Sequence, residues 1–235
     1  MLGINTIISA SIGFLIAIIM AICIERFGGA IGGIITSVPT TILPTTYIFF
    51  SDTSKTKLQQ AESLFAGPIG IFATNLFFLP VWKIVPKKLE KRMKNVPITL
   101  LTLVLSLIAW FVSAIFMTWL EGIINQRGIP ILAFSFIVML ICVVVGFVLC
   151  WSLPPTPKGK NPVKWYIHVI RGMAAFLCIC CTSLLNSSGL GIFAGAFSGF
   201  PAIFSTSIVS VSLAQGAAVS TGAVGPMIIG GCAYV

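Results

Sequence analysis

Long uncharged stretches constrain the fold of this chain more than any other feature. The first of them runs from Leu2 to Ile24, which as a helix is long enough to cross the hydrocarbon core of a bilayer. Lipid offers the backbone no hydrogen-bond partners, so such a segment must satisfy its own polar groups as a helix. Charged residues make up only 8% of the chain and the mean hydropathy is +1.09, which excludes a soluble globule. The 235 residues predict an all-α polytopic membrane protein with about eight transmembrane helices in a single domain.

One apolar stretch, Gly28–Phe50, contains residues that a spanning helix usually avoids. Its prolines remove backbone donors and obstruct the preceding turn, which predicts a break near Val38. Its glycines allow another helix to approach closely, and its hydroxyl groups can bond the carbonyls that the break frees. The candidate solute-binding residues in this stretch are Gly29, Gly32, Gly33, Ser37, Pro39, Thr40 and Thr41.

A second stretch, Gly189–Gln215, repeats this pattern near the other end of the chain. Aligning the two stretches on their prolines superimposes two glycines and, further along, a Gly-Pro dipeptide. The aligned positions are Pro39 with Pro201, Gly29 with Gly191, Gly33 with Gly195, and Gly67-Pro68 with Gly225-Pro226. We interpret them as an internal repeat, and Gly191, Gly195, Ser198 and Pro201 join the candidate solute-binding residues. The copies lie five spans apart, which predicts an inverted repeat with two Gly/Pro-broken helices.

The repeat divides the single domain, 1–235, into three parts. Repeat one covers about 1–85, a scaffold hairpin without Gly/Pro breaks covers about 97–152, and repeat two covers about 162–235. The chain ends directly after its last hydrophobic run, so a longer version with further C-terminal helices is left open.

Two short basic loops, 83–94 and 158–164, predict the orientation in the membrane. Alternate loops place ten Lys or Arg residues on one face and three on the other, and the basic face is expected to be cytoplasmic. Eight spans would then put both termini on the opposite side. Basic loops between spans are typical of orientation signals that contact anionic lipid, so no nucleic-acid partner is expected.

The predicted sixth span, Val163–Leu185, contains His168 and Arg171 at a spacing that places them on one helix face. One interpretation is an arginine that snorkels back to the headgroups and an ordinary interior histidine. The other is that Arg171 binds an anionic solute or a carboxylate, with His168 as a proton carrier. Glu121 is predicted to lie at the membrane surface rather than to carry a proton.

The sequence lacks the nucleotide-binding, hydrolase and zinc-protease motifs, so an enzyme is not expected, and neither a cofactor nor a metal is predicted. Paired Gly/Pro-interrupted segments favour a secondary or facilitative transporter for a small polar or anionic solute, which would move between the two broken helices. The alternatives are a channel lined by the same segments, or a non-transporting membrane protein such as an assembly factor or a lipid-handling enzyme. The expected partners are the lipid bilayer and the solute, and a homo-oligomer is left open.

Overall fold

The structure, a computed structural model, describes residues 3–27, 41–90, 92–128, 131–151, 164–222 and 224–231. The regular elements of these residues are all helical. In chain order they are α1 (Ile4–Phe27), α2 (Ile42–Ser51), α3 (Lys57–Phe65), α4 (Gly67–Ala73), a π-helical turn (Thr74–Phe78), α5 (Leu79–Leu89), α6 (Asn95–Gln126), α7 (Ile131–Trp151), α8 (Trp165–Ser187), α9 (Gly191–Ser198), α10 (Ala202–Gln215), α11 (Ala217–Gly222) and α12 (Val224–Gly231).

Four helices in the described part of the chain are long and apolar enough to cross a membrane. They are Lys57–Leu89, which combines α3, α4, the π-helical turn and α5; Asn95–Ile124; Trp165–Ser187; and Gly191–Ala214, which combines α9 with most of α10. The shorter apolar helices are Ile4–Ile19, Ile42–Ser51 and Phe136–Val148. The predicted all-helical class is therefore confirmed, and its apolar helices are compatible with a membrane-embedded protein. The count of eight spans, the inverted repeat and the two broken helices stay predictions.

Local sequence explains where several helices begin and end. Helix α3 begins with a capping box, in which the backbone N–H of Gln59 donates to Thr56 Oγ1 and the backbone N–H of Thr56 donates to Gln59 Oε1. Helix α8 is followed by Gly189 and helix α10 by Gly216, both with positive φ angles that favour glycine. Each of these glycines turns the chain back toward the bundle without a steric penalty.

Two apolar clusters form the centre of the bundle. The first lies where α5, α6, α10 and α12 meet, around the buried indoles of Trp82 and Trp110. The second joins α4, α6, α7 and α9 through Ile69, Met117 and Val138. On the outside of α6, Val104, Ile108 and Val112, among others, are more than half exposed. An exposed apolar stripe of this length suits contact with lipid tails.

Helices α1 and α8 pack along most of their lengths, which brings the N-terminal helix beside the helix of His168 and Arg171. Small residues permit the close contact. A Cβ atom on Gly172 would lie 2.7 Å from the Phe14 ring, and one on Gly13 would overlap the Ile179 side chain. This pair of helices forms one wall of the candidate site.

Candidate functional site

Helix α9 crosses the α3–α4 segment at the distance of backbone contact. A Cβ atom on Gly195 would overlap the carbonyl oxygen of Ser63, and one on Gly70 would overlap the carbonyl oxygen of Ala196. A Cβ atom on Gly199 would lie 2.8 Å from the carbonyl carbon of Gly70. Small residues spaced by three or four positions are what such crossings require in membranes.

Three other parts of the chain donate hydrogen bonds to backbone carbonyls at the junction between α9 and α10. Pro201 has no amide hydrogen, so the usual i to i+4 pattern is interrupted over 197–201. Thr41 Oγ1 donates to the Ser198 carbonyl at 2.8 Å, and Thr74 Oγ1 donates to the Gly199 carbonyl at 3.1 Å. The Phe197 carbonyl, which already accepts the Phe200 backbone amide at 2.9 Å, also accepts a long contact of 3.7 Å from Cys178 Sγ on α8.

These bonds place the sequence-predicted residues as follows. Thr41 and Ser198, which are 157 positions apart, are in direct contact and both buried. Gly191 and Gly195 face α3, where their nearest neighbours include Ser63. The other predicted residues of the first stretch, Gly29, Gly32, Gly33, Ser37, Pro39 and Thr40, lie outside the described residues, as do 158–163 of the second basic loop.

A cavity of about 210 Å³ lies where the ends of α1, α2 and α8 meet. Its lining combines apolar surface with polar side chains, which include Asn5, Thr6, Asp52, Ser183, Asn186 and Ser187. Thr6 and Ser183 share a hydrogen bond of 2.7 Å between their hydroxyl oxygens. The cavity therefore presents hydroxyl, amide and carboxylate groups at one end of an otherwise apolar bundle.

A charged network borders this cavity. Asn186 Nδ2 donates to Asp52 Oδ2 at 3.0 Å, and Lys55 Nζ donates to Asn186 Oδ1 at 2.6 Å. Partial burial lowers the pKa of Lys55, and the nearby Asp52 carboxylate opposes that shift in part. The network ties the loop after α2 to the end of α8 and places both signs of charge beside the cavity.

Arg171 extends into the protein from the other half of α8. Its side chain is 2% exposed, and Nη2 donates to Ser210 Oγ on α10 at 2.6 Å. His168, one helical turn earlier, is also buried. The guanidinium thus lies between helices. A snorkelling side chain would instead lie against lipid on the outside of the bundle.

These features occur at successive levels along the axis of helix α8. Ser183 lines the cavity, Cys178 contacts the interval between α9 and α10, and Arg171 contacts α10. At about 1.5 Å of rise per residue, the first step is roughly 7 Å and the second roughly 10 Å. The polar groups therefore follow the length of α8 from one end nearly to the other.

Sequence reasoning missed the polar cavity. Asp52 and Lys55 belong to a loop that pattern alone assigns to solvent, and Asn186 to a helix end. The available signal was that both polar segments fall at the same membrane face under the predicted topology. Which of several loops on that face touch each other depends on helix packing, and that information is not local.

Replacing Thr41 with Val should lower the thermal unfolding temperature, because the Ser198 carbonyl would lose its partner in a buried position. Interhelical bonds of this kind contribute about 1 kcal/mol in membranes, so we expect a fall of about 3 °C for a chain of this size. The measurement is thermal unfolding of the purified protein in detergent. Thr102→Val is the matched control, because within the described residues the buried Thr102 hydroxyl bonds the Ile98 carbonyl of its own helix. Equal falls would mean that the link to Ser198 adds nothing.

Fold and composition together define the class of this protein as an all-helical chain with helices of membrane-spanning length. A comparison with protein-family models, curated proteins and solved structures finds no match to the chain.

Proposed function

We propose that this chain is an integral membrane transporter, secondary or facilitative, for a small polar or anionic solute. The solute would pass between the two Gly/Pro-interrupted segments, around Pro39 and Pro201. The observation that carries the proposal is the hydrogen bond from Thr41 to the Ser198 carbonyl, which joins the residues flanking these two prolines. Irregular backbone at membrane depth is tolerated where it is enclosed by protein or lines a polar cavity, and transporter sites commonly use it.

The proposed topology has eight spans and an inverted repeat. Two features of the bundle support it. The interval between α9 and α10 is interrupted at Pro201 and contacts Cys178, near the middle of α8. The polar cavity lies at the end of α8 away from the basic loop that precedes it, so the two would face opposite sides of the membrane.

The proposed solute class follows from the groups along α8. The cavity supplies hydroxyls, two amides and the Asp52 carboxylate, a set of groups that favours neutral polar solutes. Deeper in the bundle, Arg171 adds a buried positive charge that attracts an anionic group. A cavity of about 210 Å³ has room for a small solute.

One rival interpretation also has support in the contacts. The carbonyls of Ser198 and Gly199 accept bonds from threonines, and the glycines of α9 are in tight contact with α3 and α4. These contacts are what a non-transporting membrane protein with closely packed helices would also show. The transport experiment must therefore distinguish solute movement from packing.

The test begins with thermal stabilisation of the purified protein by a panel of small anions, neutral polar metabolites and metal ions. A solute that binds the folded state raises the unfolding temperature by mass action. Stabilising solutes are then measured in liposomes for saturable uptake and for counterflow. Saturable counterflow supports the transporter, non-saturating flux supports a channel, and no flux with any member of the panel supports the non-transporting class.

Ser183→Leu should abolish the stabilisation by a neutral polar solute, because the larger side chain would fill the cavity and remove the hydroxyl that bonds Thr6. The unfolding temperature without solute shows whether the variant is folded. Ser188→Leu is the control, since Ser188 is exposed and does not line the cavity. Stabilisation that survives Ser183→Leu unchanged would place the solute elsewhere.

A further inference from the structure

Glu121 is a buried acid near the end of a helix of membrane-spanning length. Its side chain is 1% exposed, and it lies on α6 one turn after the buried Met117. The surroundings of Met117 are apolar and include Ile69 and Val138. The sequence predicted a surface position for Glu121, and the structure instead covers it with protein.

Both carboxylate oxygens of Glu121 lack a hydrogen-bond partner within the part of the chain that the structure describes. A buried carboxylate that is ionised and unpaired is strongly unfavourable, because it has lost its hydration and gained nothing in return. The neutral, protonated acid does not carry this penalty. The geometry alone therefore favours the protonated form of Glu121.

The charges around Glu121 act in the same direction. The Glu62 carboxylate on α3 lies close enough for electrostatic repulsion between the two acids. Helices α4, α7, α9 and α10 and the π-helical turn contribute no charged residue, although α7 contributes the buried Cys142 thiol. Lys57 lies at the start of α3, and the exposed Arg127 follows the end of α6. Lys83 lies near the middle of α5, and Lys87 and Lys88 lie in its last turn just before α6 begins, whereas Glu121 lies near the other end of α6.

We propose that Glu121 is a proton-binding site. In the arrangement that the structure describes it holds a proton, and if the covering helices separate, the proton passes to water and the carboxylate is left hydrated. Glu62 favours the protonated state by repulsion. The inference that Glu121 binds a proton depends only on its burial and on the lack of hydrogen-bond partners among the described residues. That this proton is the coupling ion for solute movement rests on the proposed transport function.

Infrared spectroscopy of the full-length protein in lipid nanodiscs tests the site without any solute. The carbonyl stretch of a protonated carboxylic acid should be present at neutral pH and absent in Glu121→Gln. Glu90→Gln is the matched control, because Glu90 is exposed at the end of α5 and should leave the band unchanged. A neutral-pH band that persists in Glu121→Gln, or no band in the native protein, would overturn the proposal.

A second variant keeps the test decisive if Glu121→Gln does not fold. Glu62→Gln retains Glu121 and removes the repelling charge, so the band should disappear at a lower pH than in the native protein. An unchanged titration would contradict the role of Glu62. Proton uptake accompanying solute counterflow is measured separately in liposomes. An intact infrared result without coupled proton movement would reject the coupling and retain the proton site.

Discussion

Replacing Gly195 with Ala should produce one of the largest losses of stability available from a single methyl group in this chain. The new Cβ atom would overlap the Ser63 carbonyl oxygen and lie 2.9 Å from the Ala66 Cβ, so α9 would have to move away from α3. Overpacking of this severity costs about 3 kcal/mol. For a chain of this size the unfolding temperature should fall by about 10 °C, measured by thermal unfolding in detergent.

Gly122→Ala is the control for this prediction. Gly122 also lies within a helix, but a Cβ atom there would meet nothing within 4 Å. Alanine favours helix more than glycine does, so this variant should be neutral or slightly stabilising. If Gly195→Ala were as stable as Gly122→Ala, the crossing of α9 with α3 would be looser than the structure indicates.

Arg171→Gln should remove stabilisation by anionic solutes and leave stabilisation by neutral solutes largely intact. The substitution keeps a donor near Ser210 but removes the buried positive charge. A hydrogen bond to a charged group contributes about 1.5–3 kcal/mol, which corresponds to a loss of roughly 10- to 100-fold in affinity. The measurement is the concentration of each anion that gives half of the maximal thermal stabilisation, in the native protein and in the variant.

Arg127→Gln provides the control for a general loss of positive charge. Arg127 is exposed after the end of α6, so its removal should leave the affinity for anions unchanged. Arg171→Lys should retain part of the affinity, because it keeps the charge without the planar guanidinium group. If Arg171→Gln bound anions as tightly as the native protein, Arg171 would have only a structural role, which is its hydrogen bond to Ser210.

The sequence predicted helices well where long apolar runs decided the structure. The uncharged run Leu2–Ile24 falls largely within α1 (Ile4–Phe27), and the predicted sixth span, Val163–Leu185, nearly coincides with α8 (Trp165–Ser187). Hydrophobic length is a local property, because lipid requires each spanning segment to satisfy its own backbone. That is why composition alone was sufficient for the class of fold.

Partners of individual residues were harder to predict. The sequence identified Gly191 and Gly195 as close-contact positions, and among the described residues their neighbours include Ser63 on α3 and Ala66 directly after it. The glycines of the first stretch lie outside the described residues, so a crossing of the two broken segments stays a prediction. Small side chains show where a helix can be approached but not which helix approaches it. Glu121 illustrates the same limit, because its place near a helix end suggested the surface, whereas helix packing buries it.

The contact between Gly70 and Gly199 has a consequence for movement within the bundle. Because backbone meets backbone there, no side chain is present whose rotamer change would let α4 and α9 slide past each other. These two helices should therefore move together as a rigid body. Bending would then be concentrated at the interval before Pro201, where the helical hydrogen bonds are already interrupted, so that α10 swings about a hinge while α9 stays fixed to α4.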